Sequence, residues 1–295
     1  MSEKIYYLLH GIQDRYNALY QDNIEKLGPQ DIAVASIGGS GQSLLGNILL
    51  ELGLNYADPY IDSLHTDGTS SPVPAYAEYR SRLAATDRSS WNDQEHSRKR
   101  WPRFVKTHLA PDFLAPRPLL GAWILIRDPR DSLYSWHKFR TNFAKDPLDI
   151  LAGTFEQWLE KPGPAGVSRL DDWSSFYDAW DHARGRFQRS TVTTFEDLKN
   201  DPVPALCKSL EDLEVDVKES DLVRAIERSS FDTMRAHEEQ RSRAKGDTSA
   251  TNTRIMRSGT PNEWQGWMTP GLQQKFGTGK IAEVARRFGY ETTAA

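Results

Sequence analysis

The feature that most constrains this chain is a repeated order of short apolar run, turn and amphipathic helix. Four runs rich in β-branched and aromatic residues are typical of buried strands, and they cover residues 32–37, 104–106, 122–126 and 191–195. Each of the first three leads into a turn or a helix. Such alternation predicts an α/β fold: a central, mainly parallel sheet flanked by helices, with a ligand crevice at the carboxyl ends of the strands.

Two helices are predicted directly after these runs. Residues 43–54 place their leucines and Ile48 on one helical face, and residues 129–139 begin with a proline and an aspartate, which suit a helix start. A third helical pattern is an aromatic stripe, which we interpret as core packing, with substrate contact as the alternative. The stripe consists of Trp173, Phe176, Tyr177 and Trp180.

The length of 295 residues permits one large domain or two. Because no Pro-rich or Gly/Ser-rich linker and no solenoid repeat is visible, we predict a single domain over residues 1–295. Residues 1–30 are expected to form an N-terminal helical extension. The polar segments 56–101 and 236–253 are predicted to be active-site loops, the second mobile until a ligand orders it.

Charge and cysteine content exclude several classes of partner. Thirty-seven Lys and Arg against 41 Asp and Glu give a net charge of -4, so no global basic field exists to attract nucleic acid or an anionic membrane. The single cysteine, Cys207, forbids an internal disulfide and a cysteine-rich zinc site. No apolar stretch exceeds strand length. We expect a cytoplasmic protein with no nucleic-acid, membrane or metal partner, so any anion site must be built locally.

The first candidate site is the turn that joins the first predicted strand to its helix. Its glycines let the backbone approach an anion, while amides and hydroxyls at the helix start can donate hydrogen bonds to phosphate. On its own, this turn is equally compatible with a plain strand-to-helix connection. A nucleoside triphosphatase loop would need glycine at Ser36 and lysine at Gln42. The turn comprises Ser36, Ile37, Gly38, Gly39, Ser40, Gly41, Gln42 and Ser43.

Two later segments add candidate phosphate ligands. Arg127 leaves the third predicted strand and Ser135 lies two helical turns further on, so both can reach one anion. Asp131, between them, is interpreted as a helix-start residue. Residues 254–259 place arginine beside a small residue and a glycine, a pattern that suits phosphate but is usually a solvated loop when it stands alone.

These three segments, in this order and at these separations, resemble the sulfotransferase family that uses 3′-phosphoadenosine 5′-phosphosulfate, in particular its soluble small-molecule branch. The resemblance spans about residues 31–276 and implies a P-loop-like sulfotransferase fold. It implies that the 5′-phosphosulfate is bound by Gly39, Ser40, Gly41, Gln42, Ser43 and Leu44. It further implies that the 3′-phosphate is bound by Arg127, Ser135, Arg257, Ser258 and Gly259, and that the nucleoside is contacted by Phe195, Ser229 and Phe231.

The triplet Lys106-Thr107-His108 resembles the end of the family strand that bears the general base. His108 follows a buried strand at the sheet edge where such folds place ligands, and an imidazole that titrates near neutrality can take a proton from an attacking hydroxyl. The alternative is an ordinary strand-end histidine.

The sequence departs from the family pattern at three positions. The family carries lysine where this chain has Gly39, a large residue where it has Leu44, and another lysine where it has Ser258. The change at Gly39 removes a positive charge from the turn that would bind the phosphosulfate. Losing one preorganised donor to the transition state costs about 3 kcal/mol. Lys106 is the best replacement, although its side chain can also face the opposite side of the strand; Arg103 and Arg130 are weaker alternatives.

The resemblance implies an enzyme that moves a sulfuryl group from this donor to a hydroxyl or amine of a small-molecule acceptor, in line and with His108 as base, leaving 3′-phosphoadenosine 5′-phosphate. Because the loop lysine is missing, a nucleotide-binding module with impaired catalysis is the main rival. A P-loop kinase is disfavoured, since no magnesium-holding aspartate is evident at a strand end. The acceptor and the oligomeric state are left open.

Overall fold

A five-stranded sheet forms the centre of the protein, and all its strands are parallel, in the order β2-β5-β1-β6-β7. A separate antiparallel pair, β3 and β4, follows β2. The strands are β1 (Asp31–Ala35), β2 (Asn55–Ala57), β3 (Asp62–Leu64), β4 (Ser70–Pro72), β5 (Arg103–Thr107), β6 (Gly121–Ile126) and β7 (Arg189–Thr194). This computed structural model describes residues 14–73, 101–114, 118–143, 154–162, 167–244 and 258–293.

Helices connect the strands and cover both faces of the sheet. Those in the described ranges are α1 (Asp14–Ile24), α2 (Gln42–Glu51), α3 (Pro129–Phe143), α4 (Phe155–Glu160), α5 (Arg169–Ala183), α6 (Phe195–Asn200), α7 (Pro202–Asp212), α8 (Glu219–Arg228), α9 (Phe231–Ala244), α10 (Pro270–Phe276) and α11 (Gly279–Arg287). Their order in the chain confirms the predicted α/β architecture.

Alternate residues of the central strands enter two apolar cores, as the two-residue period of a strand requires. On one face Ala33 and Ile124 pack with the aromatic stripe of α5 and with α11. On the other face Val34 and Trp123 pack with the leucines of α2, α7 and α8. A sheet buried on both faces explains why its strands were recognisable as continuous apolar runs.

The strand ends bring the predicted site residues to one edge of the sheet. Ser36 follows β1, His108 follows β5, Arg127 follows β6 and Phe195 follows β7. Because these strands are parallel and adjacent, the four residues lie at the same edge, which is where open α/β sheets bind ligands.

Three parts of the fold differ from the sequence expectation. β2 and the β3–β4 pair lie in the segment 56–101, which was predicted to be loop; its residues 74–100 lie outside the described part of the chain. Residues 236–244 of the second predicted loop are helical, as part of α9. That stretch is polar but rich in good helix formers, and Met234, one turn earlier, anchors it in a buried position.

No helix in the described ranges is both long and apolar enough to span a bilayer. The same ranges contain no group of three or more His, Cys, Asp or Glu side chains arranged to hold a metal ion.

Candidate active site

The early loop has the backbone conformation of an anion-binding turn. Gly39 and Gly41 have φ values of 83° and 93°, in the left-handed region that favours glycine. Gly41 is the residue that precedes α2, so the first amides of that helix point out of the loop. Unpaired amides and the positive end of the helix dipole favour an anion at this position.

Gly39 is enclosed as well as conformationally special. A Cβ atom at this position would lie 2.2 Å from the Ser132 carbonyl oxygen and 3.1 Å from the Ser135 Cβ. No side chain fits there without moving the start of α3. The lysine that the family resemblance places at Gly39 is therefore excluded by packing in this protein.

The Ser40 hydroxyl faces inward, away from the predicted ligand. The side chain is buried, and its Oγ lies 3.0 Å from the Tyr177 hydroxyl and 3.1 Å from the Ser132 Oγ. Tyr177 donates its own hydrogen to the Leu125 carbonyl. Ser40 thus has one hydrogen to share between two acceptors. Its hydroxyl stabilises the shape of the loop and does not point towards a ligand.

Arg127 joins the early loop, residues 36–43, to the late loop, residues 254–264, of which the structure describes 258–264. Its guanidinium donates to the Gly39 carbonyl at 3.1 Å and to the Thr260 carbonyl at 3.0 Å. Ser135 is half-buried and faces the Gly39 side of the early loop. The structure therefore brings Arg127, Ser135 and both loops together, as the sequence predicts.

The late loop is held by Asp131, a contact that sequence reasoning missed. The Asp131 carboxylate accepts the backbone amides of Trp264 at 2.7 Å and of Glu263 at 3.3 Å, so it binds a distant segment. Burial raises the pKa of Asp131, while the nearby Arg127 opposes this rise. The Ser258 hydroxyl donates to the Glu263 carboxylate at 3.0 Å.

Two aromatic residues and one hydroxyl define the predicted nucleoside side. The Phe195 ring is only 4% exposed, because it packs on Gly41 and beneath the Arg127 guanidinium, whose Cζ lies 4.3 Å from the ring centroid. Phe231 is half-buried and packs on Gly259. The Ser229 hydroxyl is fully buried and has no hydrogen-bond partner among the residues that the structure describes.

The two remaining residues predicted to bind the nucleotide are Leu44 and Arg257. Leu44 is partly buried against the apolar core on the α2 side of the sheet. Arg257 lies outside the residues that the structure describes.

His108 is tied to the early loop through Ser36. The His108 Nδ1 lies 2.6 Å from the Ser36 carbonyl oxygen, so Nδ1 carries the hydrogen and Nε2 has the lone pair. Burial and the positive charge of Lys106 lower the pKa of His108 to about 4, against the opposing effects of the Ser36 hydrogen bond and Asp58. The imidazole is neutral at pH 7, the form that a general base requires.

Lys106 lies on the same side of the site as the early loop. Its Nζ is 2.8 Å from the Asp58 carboxylate, and Asp58 is only 6% exposed. Lys106, Asp58 and Ser43 line one pocket that is open to solvent. Lys106 therefore shares this pocket with the start of α2, and Asp58 is its ion-pair partner.

The two weaker replacement candidates do not fit that role. Arg103 is fully buried at the amino end of β5 and forms a two-bond ion pair with Asp31, at the edge of the sheet opposite His108. Arg130 is bound to the Asp128 carboxylate and lies over the Trp264 ring, 3.6 Å from its centroid. Both guanidinium groups are used by the fold.

Glu196 and Tyr290 stabilise the turn at Arg127 and Asp128 through hydrogen bonds. The Tyr290 hydroxyl donates to the Glu196 carboxylate, which also accepts the Asp128 amide at 3.4 Å. Burial raises the pKa values of both side chains. Arg130 adds a bond from its guanidinium to the Glu291 carbonyl at 3.1 Å, so residues near position 290 pack beneath the site.

A parallel sheet flanked by helices, a glycine turn before α2 and an arginine at the end of β6 are typical of the α/β class of nucleotide-binding proteins. A family model of the sulfotransferase domain matches residues 29–280. This chain belongs to the sulfotransferase family. Membership confirms the predicted fold, the enzyme class and the sulfuryl donor, 3′-phosphoadenosine 5′-phosphosulfate.

Individual relatives are distant. The chain is 24% identical over 268 residues to human sulfotransferase 1E1, covering 87% of this chain and 85% of that protein. It is 28% identical over 180 residues to the rat sulfotransferase 1 family member D1, a match that spans only 59% of each protein.

Solved structures show the same fold. Mouse sulfotransferase SULT7A1, complexed with PAP, aligns with a TM-score of 0.59 at 17% identity and covers 94% of this chain and 92% of that chain. A retinol dehydratase in complex with androsterone and inactive cofactor PAP aligns with a TM-score of 0.60 at 16% identity, over 92% of this chain and 85% of that one.

Proposed function

We propose that this protein transfers a sulfuryl group from 3′-phosphoadenosine 5′-phosphosulfate to a hydroxyl or amine of a small-molecule acceptor, in line and without a covalent enzyme intermediate. The observation that carries this proposal is the 2.6 Å bond between His108 Nδ1 and the Ser36 carbonyl. It places a neutral imidazole, with its Nε2 lone pair, beside the loop that would hold the phosphosulfate.

The residues present fit the donor. The buried Ser229 hydroxyl lacks a partner that a nucleoside could supply. Because Gly39 and Gly41 have no side chains, the loop backbone is accessible to an anion, and the amides that begin α2 can donate hydrogen bonds to the 5′-phosphosulfate. Arg127, Ser135 and the Gly259 turn would hold the 3′-phosphate, with Phe231 against the base.

The bound donor supplies the sulfuryl group, and the protein's own groups manage charge and protons. His108 accepts the acceptor's proton at Nε2. Lys106 and the loop amides stabilise negative charge on the sulfuryl oxygens and on the oxygen that leaves. Lys106 can do so because Asp58 holds its ammonium group in the cavity that Ser43 also lines.

Calorimetric titration with 3′-phosphoadenosine 5′-phosphate and with adenosine 5′-phosphate tests the binding half of the proposal. Wild type should bind the bisphosphate at least about tenfold more tightly, and Arg127→Met should remove this preference. Arg224→Met, at an exposed arginine on α8, is the control and should keep it. Equal affinity of wild type for both nucleotides would refute the assignment.

A catalytically impaired binding module is the second candidate, and it is favoured by the packing that excludes lysine at Gly39. A single-turnover assay with labelled donor and a broad acceptor panel separates the two functions. An enzyme yields sulfated product with wild type and none with His108→Ala, although the variant still binds nucleotide. A binding module yields no product with any acceptor.

A further inference from the structure

A second cation lies next to Arg127 on the nucleoside side of the site. Lys199 is on α6, four residues after Phe195, so both side chains project from the same face of this helix. Its Nζ lies 5.9 Å from the centroid of the Phe231 ring. Lys199 is half-buried, and within the described ranges it makes no hydrogen bond or ion pair.

The groups around Lys199 are those that enclose the predicted nucleotide. Phe195 packs under the Arg127 guanidinium, and Phe231 packs on Gly259 of the late loop. Arg127 in turn donates to the Thr260 carbonyl. Arg127 thus lies against one of the two phenylalanine rings, and Lys199 and Gly259 lie against the other.

The charges around the two rings favour binding of an anion. Burial lowers the pKa of Lys199, the positive charge of Arg127 lowers it further, and the exposed Asp232 only partly opposes them. A half-buried ammonium group beside a guanidinium is costly when nothing compensates both charges. The Asp131 carboxylate is 3.4 Å from Arg127 and serves that residue and the late loop.

The late loop itself does not supply a second cation at its described residues, 258–264. Ser258 gives its hydroxyl hydrogen to Glu263, and Gly259 has no side chain. Among the described residues, a doubly charged group bound near Arg127 can therefore draw further positive charge from α6.

We infer that Lys199 is a binding residue for the 3′-phosphate of the nucleotide, a phosphate monoester held jointly by Lys199 and Arg127. This inference rests on the proposed function, because it assumes that the nucleotide carries a 3′-phosphate. It assigns to α6 two contributions to the site: Phe195 under the guanidinium, and Lys199 as a second positive charge.

The first test compares two ligands and three variants by calorimetry. Lys199→Gln should lower the affinity for 3′-phosphoadenosine 5′-phosphate at least about tenfold, as expected for the loss of a charge-assisted hydrogen bond. Its affinity for adenosine 5′-phosphate should change less than about twofold. Lys199→Arg should restore most of the affinity. Lys208→Gln, at an exposed lysine on α7, is the matched control and should leave both affinities unchanged.

The outcomes separate this inference from the proposed function. If wild type prefers the bisphosphate but Lys199→Gln loses nothing, or loses the same factor with both nucleotides, Lys199 does not bind the 3′-phosphate and the proposed function stands. If wild type shows no preference for the bisphosphate, both proposals fail.

A second test reads the charge of Lys199 directly. Lysines are labelled by reductive methylation with ¹³C, and the Lys199 signal is identified by its absence from Lys199→Arg. In free protein this signal should titrate below those of exposed lysines, and 3′-phosphoadenosine 5′-phosphate should move its pKa upward. An unchanged pKa at saturating bisphosphate would overturn the inference.

Discussion

The Tyr177 hydroxyl lies 3.0 Å from the Ser40 Oγ and connects the phosphate loop to the core of the sheet. It also accepts the Ile37 amide at 3.2 Å and donates to the Leu125 carbonyl at 3.0 Å. One buried hydroxyl thus links α5, the loop and β6. The shape of the loop depends on a side chain 137 residues away in sequence.

Tyr177→Phe should distort the loop without opening a cavity. The change leaves the Ile37 amide and the Leu125 carbonyl short of a partner in a buried place, which costs about 1–3 kcal/mol of unfolding free energy. We expect a weaker affinity for 3′-phosphoadenosine 5′-phosphate in calorimetry. Tyr20→Phe, which removes a buried hydroxyl bonded to Thr107 at 3.0 Å, is the control: it should lose similar stability and keep the affinity. Equal affinity in the two variants would contradict the role of Tyr177.

Gly39→Lys should fail to restore the lysine typical of the family. Its Cβ would lie 2.2 Å from the Ser132 carbonyl, and its φ value of 83° strains any side chain. We expect at least about 2 kcal/mol of lost stability in urea unfolding, weaker nucleotide binding and no gain in turnover. Gly185→Ala, where a Cβ meets nothing within 4 Å, should be close to neutral. A stable Gly39→Lys protein with faster turnover would show that the loop can rearrange.

The pH dependence of kcat/KM should reflect the lowered pKa of His108. Since that pKa is about 4, the imidazole is already neutral at pH 6, and the acid limb assigned to it should lie near pH 4 instead of near 6.5. An acid limb near pH 6.5 in the wild-type profile of kcat/KM would contradict a lowered pKa of His108.

The same shift predicts how stability changes with pH. The folded pKa lies below the unfolded value, so the unfolded chain binds the extra proton first, and stability falls as pH drops from 6.5 to 4. His137, whose pKa burial also lowers to about 4, contributes in the same direction. Urea unfolding at pH 7 and pH 5 should show a smaller loss for His108→Gln than for wild type.

Asp58→Asn should impair catalysis more than nucleotide binding. The change removes the carboxylate that holds the Lys106 ammonium 2.8 Å away, so kcat should fall about tenfold, and in Lys106→Met about a hundredfold. Affinity for 3′-phosphoadenosine 5′-phosphate should stay within about threefold in both variants. Lys218→Met, at an exposed position, is the control for removing a lysine charge. Unchanged kcat in Lys106→Met would remove Lys106 from the mechanism.

The parts of the fold that the sequence predicts are those with a strong local signal. β1, β5, β6 and β7 are buried on both faces, so their apolar runs stand out. β2 has only three residues, two of them half-buried, and gives no such signal. The helix over residues 236–244 was missed because polarity was given more weight than helix propensity.

The residues of the candidate site also differ in how strong their local sequence signal is. The glycine loop, Arg127 and His108 follow strands and are recognisable by position. Tyr177 belongs to a stripe that packs in the core as predicted, but its hydroxyl finds a partner only when the chain is folded. Lys199 could have been noticed from its four-residue spacing to Phe195, whereas the inward turn of the Ser40 hydroxyl depends on contacts distant in sequence.

The packing of Glu291 against Arg130 has a consequence for biosynthesis. These residues are 161 positions apart, and ribosomes add about 5–20 residues per second, so roughly ten to thirty seconds separate their appearance. During that interval the sheet can assemble, while the turn that carries Arg127 lacks Tyr290 and Glu291 beneath it. We therefore expect nucleotide to bind tightly at this turn only after Tyr290 and Glu291 have left the ribosome.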